Sequence, residues 1–155
     1  MDLTEQLTRI YLDHENWHAS KLDEENSRLY HRELLERGNI ITMLDGDLLV
    51  GYVEYWRLNY EQFGRIICRE PFSAIQEDVQ TGNIAYVANT FILPAYRKGQ
   101  VYKRLRDRFF EVNKLCTHFV GEARRKSSAP VKVFKRGEVY GKQEMASKKV
   151  ASTLL

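Results

Sequence analysis

One stretch limits the fold more tightly than any other. A run of strand formers, Ile84-Ala-Tyr-Val-Ala-Asn-Thr-Phe-Ile-Leu93, stops at Pro94 and turns through Ala95-Tyr-Arg-Lys-Gly99 into Gln100-Val-Tyr-Lys-Arg-Leu105. Proline cannot extend a strand ladder, so the strand over Asn83–Leu93 ends there. Val101, Leu105, Phe109 and Val112 then recur at helical spacing and predict a helix over about 100–114. A helix launched directly from a basic turn leaves its first backbone N–H groups unpaired at the positive end of its dipole. Arg97 and Lys98 add charge, and Gly99 lets the backbone turn tightly. The stretch reads as an anion-binding turn, with Arg97, Lys98, Gly99, Gln100, Val101 and Tyr102 as the binding residues.

The rest of the chain is organised around this unit. Leu3, Leu7, Ile10 and Tyr11 predict an amphipathic helix over 3–13, extending as far as His18. Ser20 with Asp23 forms a capping-box start, and Gly38 a stop, for a second helix over 21–37. Two apolar runs, Ile40–Leu44 and Leu48–Leu58, flank Asp45-Gly46-Asp47 and predict a β-hairpin. Residues 59–82 are ambiguous and are broken by Pro71, with a short helix near 72–79 as one reading. Cys116–Val120 reads as a buried strand. Ser127 and Ser128 before Pro130 open a short helix that Gly137 closes, and Val139-Tyr140 begins a last strand. The order ααββ(α)βαβαβ, with strands and helices alternating in the second half, predicts one α/β domain with a mixed central sheet flanked by helices.

At 155 residues the chain is the size of one domain. No apolar run approaches a membrane span, and the acidic start is not a signal peptide, so the expected setting is cytoplasmic. Cys68 and Cys116 have neither metal nor redox spacing and read as reduced, buried residues. Between Arg124 and Lys149 nine Lys/Arg face two acids, Glu138 and Glu144, a net charge of +7 on a chain whose total is +3. This basic end suggests a polyanionic partner, a nucleotide cofactor or nucleic acid. Residues 1–142 are expected to form the domain and 143–155 a basic, flexible tail.

Around the anion turn the sequence resembles the GNAT (general N-acetyltransferase) superfamily. In that family a strand ending V-x-P-x-x-R-x-x-G-x-G leads into a helix, and the loop amides bind the pyrophosphate of coenzyme A. Leu93-Pro94, Tyr96-Arg97 and Leu105 carry the match. Ser128-Ala-Pro-Val-Lys-Val-Phe-Lys-Arg-Gly137 resembles the family's closing helix, so the likeness covers roughly residues 40–141. It implies a single-domain acyl-CoA N-acyltransferase fold, acetyl-CoA or another acyl-CoA as co-substrate, no metal, and an amine acceptor. That acceptor is a small molecule, a protein lysine or a modified base, and the chain is allowed to pair as a homodimer. Phe91, Ile92, Leu93 and Ser128 join the cofactor-binding set. In an ungapped reading Gln100 and Tyr102 stand where the family has small residues, and a tyrosine turned inward there would crowd the cofactor. Phe134 falls near the tyrosine that protonates the departing thiolate.

A second resemblance, to toxin-activating lysine acyltransferases, rests on His14-Glu-Asn-Trp17 and Gly51-Tyr-Val-Glu-Tyr-Trp-Arg-Leu58. It implies a role for His14 and places Asn89 where those enzymes carry an aspartate. Small chains of this type occur in bacteriophages as DNA-modifying enzymes or virion components, which adds the virion to the settings implied.

Acyl transfer to an amine needs a base and donors at the oxyanion. Backbone N–H groups near Phe91-Ile92 are the donors. Glu54, inside a hydrophobic strand, is the first candidate base and Glu122 the second, each with an alternative as an ordinary surface or ion-paired carboxylate. His118 alternates with Phe119 and reads as a packed strand residue. His14-Glu-Asn-Trp-His18 also satisfies H-E-x-x-H, which would make a zinc hydrolase with Glu33 or His31 as third ligand. Tyr52, Tyr55, Trp56, Tyr60 and Phe63 read as core and edge packing, or as stacking surfaces beside the basic segment in a catalytically silent, nucleic-acid-binding module.

Overall fold

The computed structural model describes residues 1–14, 22–68, 82–122 and 131–135. Its elements are α1 (Leu3–His14), α2 (Glu24–Arg37), β1 (Ile40–Asp45), β2 (Leu48–Leu58), α3 (Tyr60–Ile67), β3 (Ile84–Ile92), a 3-10 turn at Pro94–Tyr96, α4 (Val101–Val112), β4 (His118–Glu122) and β5 (Val131–Lys135). Five strands lie in one sheet in the order β1-β2-β3-β4-β5. The sheet is mixed, because β1/β2 and β4/β5 are antiparallel while β3/β4 are parallel. No described helix is long and apolar enough to cross a membrane. The chain divides into two compact units, Met1–Glu54 with Thr90–Phe109, and Tyr55–Asn89 with Phe110–Leu155.

In the first unit, α1 and α2 cover the β1/β2 hairpin. Leu7, Ile10, Leu49, Tyr52 and Phe91 form the buried cluster, with Leu3, Leu35, Ile40 and Leu93 packed against it. The helix limits follow from capping chemistry. Asp23 accepts from the Asn26 N–H at the start of α2, so the helix begins at Glu24 rather than at 21, and Ser20 lies outside the described residues. Gly38 closes α2 at φ 72°, a conformation that suits glycine. The hairpin turns at Gly46, φ 59°, and Gln6 of α1 clamps it by donating to the Asp47 carbonyl (3.0 Å) and accepting from the Leu49 N–H (2.8 Å). The ladder slips between Met43↔Gly51 and Leu44↔Leu49, which leaves Val50 as a bulge.

In the second unit, Trp56, Leu58, Ile66, Ile84, Ala85, Tyr86, Cys116, Phe119 and Val120 are buried. Asn59 and Gln62 form a reciprocal capping box that starts α3. This helix was not anticipated, although Asn59…Gln62 carried its signal; the helix expected near 72–79 lies outside the described residues. Arg57 donates to the Val112 carbonyl (2.9 Å) and the Asn113 amide oxygen (3.1 Å), tying the end of α4 to β2. Three expectations are corrected. The fourth strand begins at His118, two residues later than the expected Cys116 start. Cys68 is exposed, whereas Cys116 is buried. Residues 131–135 form a strand, with Phe134 opposite Phe119, and not the closing helix of the family pattern. Val-Lys-Val-Phe-Lys alternates with period two and carries β-branched residues, and that local preference prevails.

α2 also brings polar groups inside. His31 is 3% exposed and its Nδ1 lies 3.3 Å from the Ser27 hydroxyl, with the Tyr11 and Tyr30 rings in edge contact. Burial pushes its imidazole down to about 4. The unfolded chain therefore takes up a proton between about pH 6.5 and pH 4 that the folded chain refuses, and stability falls as pH falls through that window. Chemical denaturation at a series of pH values should show His31→Phe losing less stability than the parent between those limits, a difference of up to about 3 kcal/mol. Parallel curves would contradict it.

Candidate functional site

The anion turn is built from β3 outward. The Leu93 N–H donates to the Val50 carbonyl at the bulge (2.9 Å), and the Phe91 carbonyl abuts Gly51. Both groups turn toward β2, so the N–H and C=O of Ile92 between them face the opposite edge. The β3/β4 ladder ends at Val87↔Gly121, while β3 continues to Ile92. Of Phe91 and Ile92, it is Ile92 whose N–H faces away from β2 beyond the end of the β3/β4 ladder.

After Pro94 the backbone bonds within itself. The Tyr96 N–H donates to Leu93 (2.8 Å), Arg97 to Pro94 (3.4 Å) and Gly99 to Tyr96 (3.3 Å); the first bond of α4 runs from Arg104 to Gln100 (3.0 Å). The amides of Arg97 and Gly99 are thus consumed by the turn. The N–H groups of Gln100, Val101, Tyr102 and Lys103 have no internal partner among the described residues. Four unpaired donors at the positive end of a 12-residue helix form an anion seat. Exposed Arg97, Lys98, Lys103 and Arg104 lie before and within the same stretch.

Two neighbours decide whether the seat is open. Tyr102 is 55% exposed and Gln100 is also exposed, so neither side chain is buried within the turn. The helix is pressed onto the sheet at Gly51, where an added Cβ would lie 3.0 Å from both Val101 Cγ1 and Leu105 Cδ1 and 3.1 Å from the Phe91 carbonyl. Gly51 lets the first turn of α4 approach the strand closely, and its place there is not evident from the sequence beyond a lone glycine inside an 11-residue strand.

Arg97 reaches back along the turn. Its Nε donates to the Ile92 carbonyl (3.0 Å) and its guanidinium lies 5.7 Å from the centre of the Phe91 ring. Phe91 also stacks on Tyr52 (6.1 Å) and meets the His14 ring (5.3 Å). His14, exposed at the end of α1, is therefore brought onto the residue beside Ile92. Glu54 is 7% exposed and accepts a hydrogen bond from the Tyr30 hydroxyl, which removes the reading of a carboxylate facing water.

The remaining candidates fall elsewhere. Asn89 is buried in β3 within the second unit. Glu122 ends β4 in register with Val131. His118 lies on β4, with Nδ1 3.0 Å from the Thr117 hydroxyl. Ser128, and Glu15 to His18 of the H-E-x-x-H pattern, lie outside the described residues. Of the proposed third zinc ligands, His31 is buried against Ser27 and Glu33 is ion-paired with Arg37. Among the described residues no group of three His, Cys, Asp or Glu could hold a metal ion.

Strand order, the proline turn and the open helix start define an α/β fold of the acyl-CoA N-acyltransferase type. Solved structures make that specific: the chain has the GNAT fold. It is similar to the ribosomal-protein-alanine N-acetyltransferase of Brucella melitensis, with a TM-score of 0.50 at 17% identity over 76% of this chain and 67% of that one. It is similar to an aminoglycoside 6'-N-acetyltransferase complexed with coenzyme A (0.51, 15%, 82% and 58%). The GphF GNAT-like decarboxylase in complex with isobutyryl-CoA gives 0.55 at 16% identity over 84% and 66%. This chain thus spans from 58% to 67% of the length of these proteins. No family model matches it, and no curated protein does.

Gly51→Leu should lower stability by about 1–3 kcal/mol through overpacking against Val101 and Leu105. Gly64→Ala, with nothing within 4 Å of the added carbon in α3, should leave stability unchanged or raise it. Thermal melts of the two variants check the pair; equal effects would show that the α4 contact is slack.

Proposed function

We propose that this chain is an acyl-CoA-dependent N-acyltransferase that acylates an amine. The carrying observation is the open start of α4, four unpartnered amides in a stretch with four exposed cationic residues, on a fold whose solved neighbours include complexes with coenzyme A and isobutyryl-CoA. The residues present fit a diphosphate: the donors are unpaired, Tyr102 is exposed and not buried in the turn, and charge complementarity is supplied by Arg97 and Lys98. Bound acyl-CoA supplies a thioester carbonyl as the acyl donor.

The chain's own groups have defined tasks in this reading. The amides of Gln100–Lys103 hold the pyrophosphate and so orient the donor. The Ile92 N–H steadies negative charge on the carbonyl oxygen as the amine attacks. Glu54 takes the proton that the attacking nitrogen loses, and Tyr30 holds the carboxylate in one orientation by donating to it. A C–N bond forms, the C–S bond breaks, and solvent water protonates the departing thiolate. His14, in contact with Phe91, stands as a second acid–base group on the same side.

A second reading, a silent GNAT-fold module that binds nucleic acid, is favoured by one observation. The segment that resembles the family's closing helix is strand β5 over Val131–Lys135. Its polyanion would lie along exposed Lys98, Lys103, Arg104 and Arg108.

Calorimetry and thermal shift separate the two. Coenzyme A at a hundred times its Kd should stabilise the protein by about 2.7 kcal/mol. An Arg97→Ala/Lys98→Ala variant should bind about tenfold more weakly, the effect of losing charge-assisted contacts. Duplex DNA binding that persists while millimolar coenzyme A gives no shift would transfer the reading to the module.

A further inference from the structure

The turn carries a negative charge as well as its positive ones. Asp45, the last residue of β1, accepts a hydrogen bond from the Tyr96 hydroxyl at 2.9 Å. Asp45 makes no ion pair with Arg97 or Lys98 among the described residues, and Arg97 is engaged with the Ile92 carbonyl instead. The carboxylate that reaches this turn is thus bonded to a phenol and not to its cations.

Tyr96 also sits at the pivot of the turn. Its N–H donates to Leu93, and its carbonyl accepts from Gly99, the residue just before the four free amides. Asp45 is itself anchored, because Gln6 grips the hairpin at Asp47 and Leu49. An unbroken series of bonds runs from α1 through the hairpin tip to Tyr96 and on to Gly99.

Resting on the acyl-CoA reading above, we propose that Tyr96 is a positioning residue for the diphosphate seat, which it serves by fixing the turn and by sequestering the Asp45 carboxylate. Without the hydroxyl, the turn loses its side-chain tether to the hairpin and keeps only the Leu93–Val50 backbone bond. Asp45 is then free to capture Arg97 or Lys98 and to repel the incoming anion. The Asp45 hydrogen bond, ahead of burial and the Asp45 charge, holds the Tyr96 phenol above its ordinary range.

The two tasks are separable. Tyr96→Phe removes both, Asp45→Asn removes the charge and keeps an acceptor, and the double variant loses the tether without leaving a bare carboxylate. Isothermal titration of coenzyme A into the full chain is the measurement, with far-UV circular dichroism and melting temperature read on each variant. Tyr96→Phe should weaken binding by about five- to tenfold, the size expected for a hydrogen bond to a charged group. Asp45→Asn alone should bind within about twofold of the parent or more tightly, and the double variant should recover at least half of the loss on a logarithmic scale. A Tyr96→Phe affinity equal to the parent, or a double variant no tighter than Tyr96→Phe, overturns the proposal. If the parent itself fails to bind coenzyme A, the acyltransferase reading falls and this inference with it; a parent that binds beside a flat variant series sinks the inference alone.

Discussion

Gly51 has no side chain, and Val101 and Leu105 lie directly against the strand because of it. Everything proposed for the anion seat depends on that approach. It sets the height of the first turn of α4 over the sheet, and the Val50 bulge beside it bends β2 and receives the Leu93 N–H. Strand end, bulge, proline turn and helix start are thereby held together, so the donors of Gln100–Lys103 are presented from a fixed frame. Preorganisation of this kind is what lets backbone amides act on an anion without an ordering penalty.

The parts of this arrangement that depend on local chemistry were legible in the sequence. Pro94, the basic turn and the apolar spacing of Val101, Leu105 and Phe109 specify a strand that becomes a helix, and Gly38 and Gly46 each occupy the left-handed conformation their positions suggested. What was missed depends on partners distant in sequence. Burial of Glu54 follows from Tyr30 of α2 lying over the strand, which period-two alternation cannot report. Consumption of the Arg97 and Gly99 amides follows from the 3-10 geometry after Leu93. At 131–135 the resemblance to the family's closing helix and the strand alternation of Val-Lys-Val-Phe-Lys point to different structures, and the chain follows the alternation. At Asn59 a readable capping box was passed over because the residues after it were ambiguous.

The fold narrows the chemistry without fixing it. Its solved neighbours include N-acetyltransferases and a GNAT-like decarboxylase, so the reaction must be argued from side chains. Here the first unit holds both a cationic helix start and, from α2 and β2, the polar cluster of Ser27, Tyr30, His31 and Glu54. Buried polar groups are retained where they are hydrogen-bonded or serve a task. Glu54 is the member of that cluster to which a proton-accepting task is assigned, and His31, held neutral by burial, is the member that shapes the acid stability of the fold.

The central claim is that the free amides at the start of α4 receive a diphosphate. Titrating coenzyme A into uniformly nitrogen-15-labelled protein, with amide shifts followed residue by residue, tests it most directly. The resonances of Gln100, Val101, Tyr102 and Lys103 should move together along one saturable curve, and those of Arg97 and Gly99, already bonded, should move less. Unmoved resonances at 100–103, with saturable changes elsewhere or none at all, would contradict it.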